Sequence, residues 1–342
     1  MTRCKCELSA SDFLRAVSNA YHEVESSVYD QIHSEIATQV QPVLASMLDE
    51  IRQSSLPRKL RVLDIGCGTG FASEQLLLRL GSRIESLTCC DLSPEMLERC
   101  RRKLQSHPNV SFIQADAESI AGGPETFHLI VTCSVLHHLP NPKNLFNRIQ
   151  VLLGSGCFYL MLHEPSCRYY RNPECAKVFS KYKVSARRRM LCRYFNPERY
   201  WSRLMHAIRR DSKDTLEERT SRLLLVRNII RRPLTIREVR QMVDIHVPPI
   251  HPGTFQLGSS GFDPDEIRGF HSGNLRCIRN ISYGFLGTEL EAAAPLFWKK
   301  RAGELAKKFP LDGAQISALW QKSGSPQQSH IGQIDTQIVV ET

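Results

Sequence analysis

The chain has 342 residues, 42% of them hydrophobic and 23% charged, a globular composition and a length suited to one large domain or a domain with a sizeable insertion. It contains no run of about 18 apolar residues that would cross a membrane, and MTRCKCELSASDF lacks the apolar centre of a signal peptide, so a cytoplasmic location without membrane contact is expected. The net charge of +10 is concentrated: residues 164–262 hold 21 Lys and Arg against 9 Asp and Glu, more than the whole surplus.

In chain order, helical spacing of apolar residues in FLRAVSNAYHEV and IATQVQPVLASMLDEI predicts helices over about 9–54. Pro57 and RKLR lead into a first strand, LRVLDIG. SEQLLLRLG reads as a helix stopped at Gly81, SLTCCDL as a second strand, and Ser93-Pro94 as the cap and first position of the next helix. Strand VSFIQAD, strand FHLIVTCSVL, helix NPKNLFNRIQVLL and strand GCFYLML follow. This alternation predicts βαβ units in a mostly parallel sheet covered on both faces. Residues 165–262 read as mainly helical. Strand signals return in LRCIRNISYGFLG and, after a helix near 288–309, in AQISALWQK, making seven strands. Residues 323–342 read as a mobile tail.

The twelve cysteines form no CxxC pair, which argues against a zinc site built from the usual paired thiolates. Several stand in apolar contexts, as in LTCCDL, where Cys packs as a small hydrophobe. Cys67 is read in the same way.

The stretch Asp64-Ile65-Gly66-Cys67-Gly68-Thr69-Gly70 joins a buried strand to a helix through a glycine-rich turn. Glycine is required where the backbone must lie against a ligand with no Cβ between them. The spacing is GxGxG, with Phe71 where a dinucleotide pattern wants its third glycine. Asp64 at the strand end suits a cationic amino group and would repel a pyrophosphate. About 27 residues on, Asp91-Leu92 ends the second strand, where a carboxylate can accept from two ribose hydroxyls.

These segments resemble the class I, Rossmann-like methyltransferases that use S-adenosyl-L-methionine, in particular their small-molecule branch. The resemblance covers about residues 60–163 and the returning strands after 275. It implies a seven-stranded, doubly wound sheet with the basic helical insert between its fifth and sixth strands. It further implies that Asp64, Gly66, Cys67, Gly68, Gly70, Asp91, Leu92 and Ser134 surround the cofactor, with Asp116 accepting from its adenine amino group and Ala117 donating to a ring nitrogen. Ser134-Val135-Leu136-His137-His138-Leu139 is similar to the family's LHHL segment. The resulting division is 1–56 helices, 57–164 cofactor-binding core, 165–262 basic insert, 263–322 completion of the sheet and 323–342 tail.

Ligands of open α/β sheets bind outside the carboxyl ends of the strands. His137, His138, His163 and Glu164 fall there and are the candidate catalytic residues, since methyl transfer to a protonated nucleophile needs a base and histidine titrates near neutrality. For each, ordering or capping a loop is the bland reading. Asp244, His246 and His251 have a spacing open to a divalent cation, but histidines in proline-rich loops are more often packing residues, and no metal site is assigned.

In the insert, Arg187-Arg188-Arg189, Arg209-Arg210 and Arg231-Arg232 stand among Tyr169, Tyr170, Tyr182, Tyr194, Phe195, Tyr200 and Trp201. The expected use is a lid whose aromatics close on a small acceptor while arginines hold its carboxylate or phosphate. A solvated helical face competes equally. The same basic surface would also suit an RNA or protein methyltransferase, and a cofactor pocket is compatible with a non-enzymatic scaffold.

Overall fold

The computed structural model describes residues 8–194, 214–247, 261–270, 274–287, 291 and 294–323. Seven strands form one sheet: β1 (Leu60–Ile65), β2 (Ile84–Asp91), β3 (Val110–Gln114), β4 (Phe127–Cys133), β5 (Leu153–Pro165), β6 (Leu275–Tyr283) and β7 (Gln315–Lys322). Their order is β3-β2-β1-β4-β5-β7-β6. The first five pair in parallel, whereas β7 runs antiparallel to both β5 and β6. The sheet is therefore mixed, and the last strand in sequence is inserted between the fifth and sixth.

Strand residues alternate between two apolar layers, as the pleat requires. Val62, Cys89, Leu160 and Leu162 pack on one face with α3 (Ser34–Gln53), α4 (Phe71–Leu80) and α5 (Pro94–Leu104). Leu63, Ile65, Tyr159 and Met161 pack on the other with α6 (Pro142–Leu152). Helix α5 starts where Ser93 accepts from the Met96 N–H, with Pro94 at the first turn. Strand β3 stops at Gln114, so Asp116 and Ala117 lie in the loop beyond it rather than in the strand.

The remaining helices build over the carboxyl ends of the strands. The amino-terminal segment holds α1 (Ala10–Glu25) and the single turn α2 (Tyr29–Ile32) before α3. The insert opens with α7 (Cys167–Arg171) and α8 (Pro173–Tyr194) and continues with α9 (Leu216–Val226) and α10 (Ile236–Val243). Thr215 with Glu218, and Thr235 with Glu238, form reciprocal capping boxes that set where α9 and α10 begin. Phe13, Val17 and Ala20 of α1 share an apolar cluster with Leu224, Leu234, Val239 and Val243, so the first helix and the insert make one body. Tyr169, Cys175 and Tyr182 instead pack with Leu286 and with Ala302 and Leu305 of α12 (Leu296–Lys308); of the helix expected near 288–309, residues 288–290 and 292–293 lie outside the described residues. A short helix, α11 (Pro264–Ile267), follows the insert. Pro165 O accepts from Phe262 N–H and Phe262 O from Cys167 N–H, so the insert leaves and rejoins the core at one point. Among the described residues no helix is long and apolar enough to cross a membrane.

Candidate functional site

Glycine carries the chain out of β1 with left-handed backbone at Gly66 (φ 67°), Gly68 (φ 53°) and Gly70 (φ 91°). At Gly66 a Cβ would lie 2.5 Å from a methyl of Val135, so the loop lies hard against the turn after β4. The Asp91 carboxylate accepts from the Gly68 N–H and the Ser93 N–H, each at 2.8 Å, tying the loop to the end of β2. Burial raises the pKa of Asp91, and these two N–H donors oppose the rise.

Gly66, Gly68, Asp91, Leu92, Asp116, Ala117, Ser134 and His138 line one cleft. Seven of the ten expected cofactor residues thus meet in one place. The other three do not line it. Asp64 is fully buried and its Oδ2 accepts from the Ser73 hydroxyl at 2.6 Å, while its Oδ1 has no hydrogen-bond partner among the described residues; it does not itself line the cleft. Burial, then the neighbouring Cys89, push its pKa up to about 8, against the Ser73 hydrogen bond. Cys67 is buried, and Gly70 caps α4.

The opposite wall is absent from the residues expected on sequence grounds. Arg15, Ser18, Asn19 and His22 line the same cleft at the i, i+3, i+4, i+7 spacing of one helix face, while the other face of α1 packs on the insert. Arg15 pairs with Asp116 and Glu118. The signal is a polar stripe in α1, but a polar stripe ordinarily means solvent.

A second cavity adjoins the first and shares His22, Tyr29, Ser134 and His138 with it. His137 and His163 line this second space, with Glu25, His33, Tyr170, Phe179, Lys183 and Asp244. Two residues at the strand ends have strained backbone for their type, Ser134 and His163, both at φ 57°. They are neighbours: the Ser134 N–H reaches Leu162 O at 2.9 Å and its hydroxyl reaches His163 O at 3.3 Å.

Glu164 is not exposed to either cavity. Fully buried, it accepts from the N–H groups of Val135 (2.8 Å) and Leu136 (2.9 Å) and holds Nδ1 of His137 at 2.8 Å. It is a positioning residue, which corrects its assignment as a group acting on substrate. Burial lowers the His137 pKa, but the Glu164 charge and hydrogen bond outweigh it and leave the imidazole above its ordinary value. His138 Nδ1 meets Val243 O at 2.9 Å, and burial, followed by repulsion from His137 and His22, holds its pKa well below the usual range. Since a carbonyl only accepts, His138 has its proton on Nδ1 and a lone pair on Nε2. His163 Nδ1 lies 3.0 Å from the Tyr283 hydroxyl.

Asp244 and His246 are drawn apart. Asp244 lies 3.6 Å from His138, whereas His246 Nε2 meets Leu139 O at 3.0 Å. His251 lies outside the described residues. The three-residue constellation read from the sequence is therefore not assembled by the described residues.

The basic insert also differs from expectation. Arg168, Arg171, Arg222, Arg227, Arg232 and Arg240 each pair with a carboxylate of the protein itself. Among the described insert residues the cation lining the second cavity is Lys183, beside the Phe179 ring. Tyr170 lines that cavity, whereas Tyr169 and Tyr182 are core. Arg209, Arg210, Phe195, Tyr200 and Trp201 lie outside the described residues, as does the 323–342 tail beyond Ser323.

Residues 62–156 match the family model described as a methyltransferase domain. A malonyl-[acyl-carrier protein] O-methyltransferase of Bacteroides thetaiotaomicron is 39% identical over 99 residues, covering 29% of this chain and 36% of the relative. The like-named enzyme of Halalkalibacterium halodurans is 35% identical over 99 residues, covering 28% and 36%. The chain thus spans about a third of the length of these relatives. Among solved structures, a SAM-dependent methyltransferase from Aquifex aeolicus aligns at 20% identity with a TM-score of 0.30, covering 34% of this chain and 62% of the other.

Proposed function

We propose that this chain, whose residues 62–156 are a methyltransferase domain of the S-adenosyl-L-methionine-dependent class I type, transfers a methyl group to a hydroxyl of a small acceptor that also carries a carboxylate or phosphate. The observation that carries the reading is the shared wall of the two cavities, where His138 and Ser134 face both spaces. The first cavity suits the cofactor. Gly66 and Gly68 line it, and the carboxylates of Asp91 at the end of β2 and Asp116 beyond β3 offer acceptors for hydroxyl and amino groups. When bound, the cofactor supplies an electrophilic methyl group on a sulfonium.

The chain's own contribution is positioning and proton removal. His137 faces the second cavity with Nδ1 fixed by Glu164, which leaves Nε2 as the base, and a buried carboxylate behind an imidazole stabilises the imidazolium formed. Such a pair is useful for a nucleophile that bears a proton, which supports a hydroxyl acceptor. Relatives named as malonyl-[acyl-carrier protein] O-methyltransferases support transfer to oxygen, although a malonyl group offers a carboxylate oxygen rather than a hydroxyl. Lys183 supports an anionic group on the acceptor.

The test is incubation with methyl-labelled S-adenosyl-L-methionine and a panel of hydroxylated carboxylic acids and phosphate esters, read by mass spectrometry. A labelled methyl ether is expected, with His137→Ala reducing kcat and Lys183→Met raising KM. Label found only in RNA or protein, or cofactor binding with no transfer, overturns the reading.

A further inference from the structure

Three cysteines that are far apart in sequence meet beneath the glycine loop. Cys67 comes from the loop itself, Cys89 from β2 and Cys100 from α5. Their sulfurs all lie within 4.8 Å of one another and all three residues are buried. The space they share is kept by Gly70, where a Cβ would lie 2.9 Å from the Cys100 sulfur. Ser73 Oγ stands 3.1 Å from the Cys89 sulfur. Neighbouring Cys90 behaves differently, turning its thiol to Ala115 O at 3.5 Å.

We propose that Cys67, Cys89 and Cys100 form a binding site for a thiophilic d¹⁰ cation of the zinc and cadmium type, coupled through Cys67 to the loop that floors the first cavity. Soft thiolates select such ions. A Zn–S bond of about 2.3 Å puts tetrahedral sulfurs roughly 3.8 Å apart, within the spacing already present. On loading, three metal–sulfur bonds form, and each S–H still present in the triad breaks and gives its proton to solvent, three at most. A dication with three thiolates has one net negative charge. That charge lies near the amino terminus of α4, where the helix dipole favours it. A sequence without CxxC pairs does not announce such a site, because the three ligands come from three different elements.

Gly66 and Gly68 flank Cys67 and line the cleft, so a loaded triad fixes the floor on which the cofactor would rest. Since the sulfurs are buried, the cation enters when the loop lifts.

The experiment uses the reduced full chain, stripped with a chelator and titrated with cadmium chloride alone. Expected are a thiolate-to-cadmium ultraviolet band saturating at one equivalent, release of protons, three at most per ion, and a raised melting temperature. Separate Cys89→Ala and Cys100→Ala variants should each lose at least about tenfold in affinity, whereas Cys90→Ala should bind as the parent does. Unchanged binding in both triad variants overturns the proposal. Should the variants fail to fold, the cadmium NMR shift of the parent decides: a three-sulfur value supports the site and a nitrogen or oxygen value removes it. No methyl donor enters the measurement, so its outcome is separate from that of the transfer assay.

Discussion

Glu164 holds both the turn that carries His137 and His137 itself. One carboxylate oxygen accepts from the Val135 and Leu136 N–H groups, and the other meets the imidazole Nδ1 at 2.8 Å. Fully buried, this carboxylate fixes the ring's tautomer and raises its basicity together. Glu164→Gln should therefore act twice. Its amide nitrogen must face either N–H groups or the ring, costing about 2–4 kcal/mol of stability. The His137 pKa should also fall, because the opposing anion is gone and burial remains. If His137 is the base, the acid limb of the rate profile moves to lower pH while the plateau falls at least about tenfold. A limb that stays in place removes Glu164 from the proton transfer.

Gly66→Ala should weaken binding of S-adenosylhomocysteine and lower stability, through two separable costs. One is the left-handed backbone, about 1 kcal/mol for a residue with a Cβ. The other is the 2.5 Å approach to Val135. Adding Val135→Ala should relieve the second cost alone and recover part of the affinity by calorimetry. Equal affinity of the parent and Gly66→Ala would show that the loop does not floor the cofactor site.

Asp91→Ala should reduce stability and cofactor affinity together. The sequence marks it only as a carboxylate that can accept from ribose hydroxyls. In the structure its carboxylate also satisfies the Gly68 and Ser93 N–H groups, and leaving buried donors without an acceptor costs about 1–3 kcal/mol. Urea unfolding reads the first effect and calorimetry on the folded variant the second. Loss of stability with normal binding would make Asp91 a loop anchor only.

Asp64 makes a pH-dependent contribution of definite sign. Burial raises its folded pKa to about 8 from an unfolded value near 3.9. The folded state then binds the proton more tightly than the unfolded chain. This contribution is complete below about pH 4 and is lost as pH rises towards 8. Asp64→Asn cannot ionise, so its stability relative to the parent should rise across that window, by at least about 1 kcal/mol. A constant difference between the two proteins from pH 5 to 8 would mean that Asp64 is charged in the fold.

The cofactor side is largely legible in the sequence because its signals are local. Gly66 and Gly68 announce a turn by their residue type, and Asp91 sits at a strand end fixed by the SLTCCDL pattern. Glu164 has the expected place and a different task, since sequence shows that a carboxylate ends a strand but not which donors surround it. Lys183 is hidden among the charges of the insert. Arg232 and Arg240 depend on Glu238 and Glu217, partners that the sequence does not announce. The position of β7 between β5 and β6 is unreadable too: strand order is a property of the assembled sheet.

Helix α1 gives Arg15, Ser18, Asn19 and His22 to the first cavity and Phe13, Val17 and Ala20 to the cluster with α9 and α10. The stretch by which the domain is recognised, 62–156, contains neither α1 nor the insert. The unit that natural variation can recognise is therefore smaller than the unit that would work. A change of acceptor in a related chain would have to rewrite two distant segments in step, because a substitution on either side of the α1–insert seam alters the wall of the cofactor cleft as well.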